Sequence, residues 1–199
     1  MRRISLLSVL ALLCSCTAAQ LQQYRLVDAL PDSTWAVSQW ISAADAPVVE
    51  GRVGSNENHR AADGSSWFVA DVQNASRVVS ARWMTAGLGV YQLYINGQVI
   101  GDEVLKPGFT HYARTKISYT YDVTAALDKA PGAVNRISAQ LTPGWWGDKI
   151  VTPARHEGMI GRKCAFRAVL ELTYADGSKS LFGTDTAQWK AGIAGPVQH

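Results

Sequence analysis

Tyr91-Gln92-Leu93-Tyr94-Ile95-Asn96-Gly97-Gln98-Val99-Ile100 decides the fold. Two runs of β-branched and aromatic residues enclose a single Asn-Gly. Asn and Gly tolerate the positive φ that a two-residue type I′ turn demands, and that turn matches the twist of paired strands. The stretch therefore predicts an antiparallel hairpin, Tyr91–Ile95 against Gln98–Gly101. Asp176-Gly177 repeats the signal between Tyr174 and Leu181-Phe182.

Outward from the hairpins the hydrophobic period stays at two. Phe166, Ala168, Leu170, Leu172 and Tyr174 form one face of a strand, Arg167, Glu171 and Thr173 the other, with Val169 an apolar intruder. Val79, Ala81 and Trp83 alternate with Ser80 and Arg82, and Ile137, Ala139 and Leu141 with Ser138 and Gln140. Pro107-Gly108, Pro131-Gly132 and Pro143-Gly144 mark loops. Asp122–Leu127 reads as a single helical turn capped by Asp122 or Thr124. Short strands at this spacing, with no long segment of period 3.6, predict an all-β fold: an antiparallel β-sandwich of jelly-roll type over residues 66–195. Residues 20–65 read as an irregular lead-in with an edge strand near Thr34–Ile41 and an exposed loop over Asn56–Ser65. In 199 residues this is one domain, or one domain plus a tail.

Residues 1–19 read as a secretory signal peptide. Arg2 and Arg3 precede the apolar run Leu6–Leu13, which is shorter than the roughly 20 residues that span a bilayer. Thr17-Ala18-Ala19 suits an ordinary signal peptidase. Leu13-Cys14-Ser15-Cys16 resembles a lipobox with Cys16 as the lipidated residue. The expected location is periplasmic, secreted or an outer-membrane lipoprotein, with the membrane reached only through the lipid. The net charge of +3 falls by the two leader arginines to +1. That charge is too weak and dispersed for a nucleic-acid partner. Of Cys14, Cys16 and Cys164, only Cys164 belongs to the folded body, so neither an internal disulfide nor a four-ligand zinc site is expected. A buried structural thiol is the reading for Cys164.

Gly87–Gly101, with its Val90-Tyr91-Gln92-Leu93-Tyr94-Ile95-Asn96-Gly97 centre, resembles the N-terminal β-sandwich domain of bacterial α-L-rhamnosidases, glycoside hydrolase family 78. The resemblance continues in order through Leu105-Lys106-Pro107-Gly108-Phe109-Thr110-His111-Tyr112, Tyr119-Thr120-Tyr121-Asp122-Val123-Thr124 and Gly144-Trp145-Trp146-Gly147. It closes with Leu172–Ser178, Thr184-Asp185 and Trp189-Lys190; Trp40-Ile41 resembles the start of the region. It implies a noncatalytic domain, because the family's acidic catalytic residues, which hydrolyse with inversion, sit on an (α/α) barrel that these 199 residues do not include. No catalytic residue is carried over.

The residues themselves point the same way. Glycoside cleavage needs two carboxyl groups flanking the bond, roughly 5–9.5 Å apart. Asp102, Glu103, Asp122, Asp148, Glu157, Glu171, Asp176 and Asp185 are scattered, and Asp122 and Asp176 suit local roles in a cap and a turn. No cofactor is expected, and His59, His111 and His156 lack the spacing of a metal triad. His156 and Glu157 fall in a long loop, Thr152–Gly161. The binding candidate is Trp145, Trp146, Asp148 and Lys149: flat aromatics beside donors and acceptors suit a sugar's apolar face and hydroxyls. Alternatively, one Trp plugs the sandwich while the other packs on a neighbouring domain. In an extended chain, adjacent indoles face opposite ways and one stays exposed. Asn74-Ala75-Ser76 matches a glycosylation sequon by chance, and Asn96 serves the turn's positive φ. The expected function is recognition of a rhamnose-containing glycan, or plant or bacterial polysaccharide, and support of a catalytic barrel. A stand-alone surface carbohydrate-binding module and a purely structural sandwich remain the alternatives.

Overall fold

A computed structural model describes residues 24–44, 65–147 and 163–193. The leader with Cys14 and Cys16, the loop expected over 56–64, and Asp148, Lys149, His156 and Glu157 lie outside the described residues.

Among the described residues nine strands form: β1 (Ser66–Gln73), β2 (Val78–Leu88), β3 (Val90–Ile95), β4 (Gln98–Ile100), β5 (Ser118–Asp122), β6 (Val134–Thr142), β7 (Ala165–Tyr174), β8 (Lys179–Gly183) and β9 (Lys190–Gly192). They build a five-stranded sheet in the order β4-β3-β6-β1-β9 and a four-stranded sheet in the order β5-β2-β7-β8. The pairings are antiparallel. The two sheets pack as the expected sandwich. Phe68, Leu93, Ile137, Ala139 and Leu141 line the core from one sheet, and Trp83, Tyr121, Phe166, Leu170 and Leu172 from the other. Phe68 meets Phe166 across the gap at 5.7 Å between ring centroids. Each large apolar side chain buried here contributes about 1.5–3 kcal/mol.

The hairpins form where the turn chemistry places them. Asn96 (φ 51°) and Gly97 (φ 79°) are both left-handed, and Tyr94 pairs with Val99. The second hairpin differs from the first. Its loop runs over 175–178, only Gly177 has positive φ, and the Asp176 carboxylate accepts from Ser178 N at 2.9 Å and Ser178 Oγ at 2.6 Å. The helical turn is a 3-10 segment, Thr124–Ala126, whose first N–H reaches Asp122 Oδ1 at 3.0 Å.

Four details depart from the sequence reading. The edge strand expected near Thr34–Ile41 is replaced by a 3-10 helix, Asp32–Val37, and one β-bridge from Ile41 to Phe166. Pro31 opens this helix, and Arg167 holds it: its guanidinium donates to the Trp35 and Ser38 carbonyls and lies 5.0 Å over the Trp35 ring. Val169 is no intruder. It points to the outer face of the four-stranded sheet and is buried with Leu30 and Met84 against Trp35. The lead-in therefore crosses that face, starting at the Leu26–Tyr121 bridge. Ser65, placed by the sequence in an exposed loop, is buried, and its hydroxyl accepts from Gln140 Nε2 at 3.0 Å. In β2 a register shift between Val78 and Ser80 turns Val78 into the core and leaves Val79 exposed, while Ala81 and Trp83 stay inside.

Candidate functional site

β6 carries the chain out of the five-stranded sheet at Thr142, opposite the Asn96-Gly97 turn. Pro143 then starts a helical turn, Gly144–Gly147, with the Trp146 and Gly147 amides both donating to the Pro143 carbonyl at 3.2 Å. Gly144 has φ 46° and sits against Val90, where a Cβ would approach Val90 Cγ2 to 2.4 Å. The chain is helical here, not extended, so neither indole is fully exposed: Trp145 and Trp146 are both half-buried. The Trp146 indole N–H donates to the Lys163 carbonyl at 2.9 Å.

Trp146 joins an aromatic cluster that the turn sequence alone did not reveal. Tyr112 meets it edge to face at 5.3 Å, and Phe109 meets Tyr112 at 6.0 Å and 90°. Tyr112 is buried, with its phenol donating to the Gly108 carbonyl at 3.0 Å, whereas Phe109 remains 60% exposed. A cleft of about 530 Å³ opens beside them, lined by Phe109, Thr110, His111, Tyr112, Ala113, Lys116 and Trp146. The Thr110 hydroxyl donates to Thr115 O at 2.8 Å, and Lys116 Nζ to Tyr112 O at 3.0 Å, which fixes the loop's curvature. Aromatic faces beside amine and hydroxyl donors are what a pyranose ring requires. Of the four residues the sequence offered, Trp146 lines this cleft, Trp145 does not, and Asp148 and Lys149 lie outside the described residues. The signal that could have found Phe109 and Tyr112 was present in the Pro107–Tyr112 motif.

The cleft loop is rooted by a buried cation. Lys106 is 1% exposed; its Nζ donates to the Ile100 carbonyl at 2.9 Å, lies 3.7 Å from Glu103 Oε2 and sits 5.0 Å from the centre of the Tyr121 ring. Tyr121 OH donates to the same Glu103 oxygen at 2.6 Å. Burial pushes the Lys106 amine below the usual lysine range, against the pull of Glu103. Burial and the Glu103 hydrogen bond push the Tyr121 phenol well above the usual range.

At the opposite end of β6, three asparagines tie the loops together. Asn135 Oδ1 accepts from Asn96 Nδ2 and from Asp128 N, both at 2.8 Å, and its Nδ2 donates to Asn74 Oδ1 at 3.2 Å. Asn96 thus does more than tolerate positive φ. Asn74 is 2% exposed and donates to the Asp128 and Ala130 carbonyls. Its amide is consumed inside the fold, which is the physical reason the sequon is no acceptor in the folded chain.

Other carboxylates are held locally. Glu171 binds Arg82 at 2.8 Å and Lys179 at 3.3 Å, Asp71 binds Arg136 at 2.8 Å, and Asp185 accepts from the Ala187 and Gln188 amides. Cys164 is half-buried at the core's edge rather than fully buried, because it precedes the first residue of β7.

Residues 76–199 match the family described as the α-L-rhamnosidase N-terminal domain. An α-L-rhamnosidase of Streptomyces avermitilis is 36% identical over 122 residues, covering 61% of this chain and 11% of that protein. One from Formosa agariphila is 28% identical over 186 residues, covering 88% and 19%. The crystal structure of native α-L-rhamnosidase from Aspergillus terreus superposes with a TM-score of 0.68 at 27% identity, over 82% of this chain and 17% of that one. The chain spans less than a fifth of the length of these relatives.

Proposed function

The chain belongs to the family of α-L-rhamnosidase N-terminal domains, and on that premise we propose that it is a noncatalytic recognition and support domain of an exported α-L-rhamnosidase-like glycoside hydrolase. Its ligand is a rhamnose-containing glycan, and its structural partner is the catalytic barrel of a longer protein. The observation that carries the recognition role is the cleft of Phe109, Tyr112 and Trp146, where aromatic surface lies beside Thr110, His111 and Lys116. Sugar C–H faces stack on the rings while hydroxyls exchange hydrogen bonds with the polar groups. Export rests on the leader at residues 1–19, with Cys16 as the anchor if the lipobox is used. Sequencing the mature N-terminus tests it: Gln20 or a lipidated Cys16 supports export, and an intact Met1 contradicts it.

Recognition is tested by titrating the protein with rhamnosylated oligosaccharides and following tryptophan fluorescence, in the native chain and in Trp145→Ala and Trp146→Ala. A saturable change lost in Trp146→Ala and kept in Trp145→Ala supports the cleft. A second reading, docking of the barrel on this side, is favoured by Val104 and Leu105, which are apolar and exposed beside the same loop. No response to any glycan, with improved solubility on adding the barrel in trans, supports docking instead.

A further inference from the structure

Among the described residues, Asn96 and Leu105 are the non-glycine positions with left-handed backbone, at φ 51° and 57°. Asn96 tolerates it and sits in a two-residue turn. Leucine does not: its Cβ crowds the following carbonyl, so the conformation persists only where surrounding contacts impose it, and such positions gather at ligand clamps. The Leu105 side chain imposes nothing, because it is 57% exposed. The restraint comes from the residues after it. Lys106 turns inward, 1% exposed, and its amine reaches the Ile100 carbonyl at 2.9 Å and Glu103 Oε2 at 3.7 Å. The Lys106 carbonyl accepts from the Tyr91 amide, and the Gly108 amide closes a turn onto the Leu105 carbonyl, both at 3.0 Å. Phe109 follows, exposed in the cleft wall, while the Gly108 carbonyl takes the Tyr112 phenol. A buried amine and an exposed ring are thus the two ends of one short turn.

We propose that Lys106 is a positioning residue for recognition: its amine, held on the Ile100 carbonyl and Glu103, keeps Leu105 left-handed, and the turn so fixed sets Phe109 at the cleft. This inference rests on the glycan-recognition reading above and assigns control of that site to a residue outside it. Lys106 does not line the cleft, so it acts on a ligand only through the backbone. The sugar meets a ring already in place, and binding does not have to order the loop. A lysine that only stabilised the fold would leave the affinity of the folded molecules unchanged.

The test is calorimetric titration of the full chain with an oligosaccharide bearing terminal α-L-rhamnose, at a temperature where circular dichroism shows each variant folded. Lys106→Met keeps the stem and removes the amine; it should bind about tenfold weaker, the scale of ordering a side chain on binding. Glycine takes positive φ as readily as negative, so adding Leu105→Gly to Lys106→Met should bring affinity back to within about threefold of native. Leu170→Ala weakens the core far from the loop and should bind within about twofold of native. If Lys106→Met does not fold, Glu103→Gln, which removes the charge and keeps an acceptor, carries the test with a loss of about threefold. Native affinity in the variant that carries the test, a loss that Leu105→Gly does not lessen, or an equal loss in Leu170→Ala overturns the inference and leaves recognition standing. No saturable heat in the native chain overturns the recognition reading and this inference with it.

Discussion

Trp146 and Tyr112 meet edge to face, 5.3 Å between ring centroids, which closes the helical turn after β6 onto the loop before β5. The same indole holds the Lys163 carbonyl through its N–H. Trp146 is thus a joint between three segments, whereas its neighbour Trp145 makes no ring contact or side-chain hydrogen bond among the described residues.

Trp146→Ala should therefore destabilise the chain by about 2–4 kcal/mol, near the low end for removing a large aromatic because the ring is only half-buried. Trp145→Ala should cost under about 1 kcal/mol. Urea unfolding of both variants checks this. Equal losses would mean that the joint carries no more than its neighbour.

Lys106 and Tyr121 root the cleft loop, and of the two only Tyr121, whose pKa is raised, contributes stability that is lost at alkaline pH; the lowered pKa of Lys106 acts in the opposite direction. Removing the amine in Lys106→Ala leaves the Ile100 carbonyl without its donor and Glu103 without its cation, at a cost of about 3 kcal/mol. For Tyr121 the sign is set by a folded pKa above the unfolded value. The unfolded phenol releases its proton from about pH 10 while the folded one keeps it, so its contribution is present below pH 10 and lost as pH rises beyond. Thermal unfolding between pH 8 and 11 should show a falling midpoint, with a shallower fall in Tyr121→Phe. An unchanged slope in that variant would remove Tyr121 from the account.

Glu171 governs part of the acid limb. Burial pushes its carboxyl up, but hydrogen bonds from Arg82 and Lys179, and their charges, outweigh burial and hold it below the ordinary glutamate range. A folded pKa below the unfolded one gives stability that is complete above about pH 4.3 and lost as pH falls through the folded value. Glu171→Gln should lower stability at pH 7 and flatten the loss on acidification. Parallel pH profiles for the variant and the native chain would contradict this.

Leu170 is fully buried between the sheets, opposite Trp83 and Phe182 in the strand register. Leu170→Ala should cost about 2–5 kcal/mol, read from the shift in urea midpoint at constant slope. A loss under about 1 kcal/mol would mean the packed core does not run through β7 as described.

Period-two alternation made β6 and β7 legible, because a strand with one buried face repeats its apolar residues at a fixed interval. Asn96-Gly97 was legible because only a few residues accept the backbone that turn needs. Val79 was misplaced because a bulge shifts the period by one residue without a mark in composition. The Thr34–Ile41 strand failed because what shapes that segment is distant: Arg167 on β7 captures the Trp35 and Ser38 carbonyls. The site was half legible for the same reason. Trp146 announces itself beside Pro143 and Gly144, but Tyr112 and Phe109 become its neighbours only when the loop is folded back, and a lysine gives no sign that it will be buried, as Lys106 is.

Calorimetric titration with an oligosaccharide bearing terminal α-L-rhamnose, on the native chain and on Phe109→Ala, tests the recognition role most directly. Phe109 is exposed, so its removal should leave the fold intact by circular dichroism. The account predicts a saturable heat in the native chain and at least about tenfold weaker binding in Phe109→Ala, since about 1.4 kcal/mol of stacking is lost. No saturable heat, or the same affinity in both proteins, would contradict it.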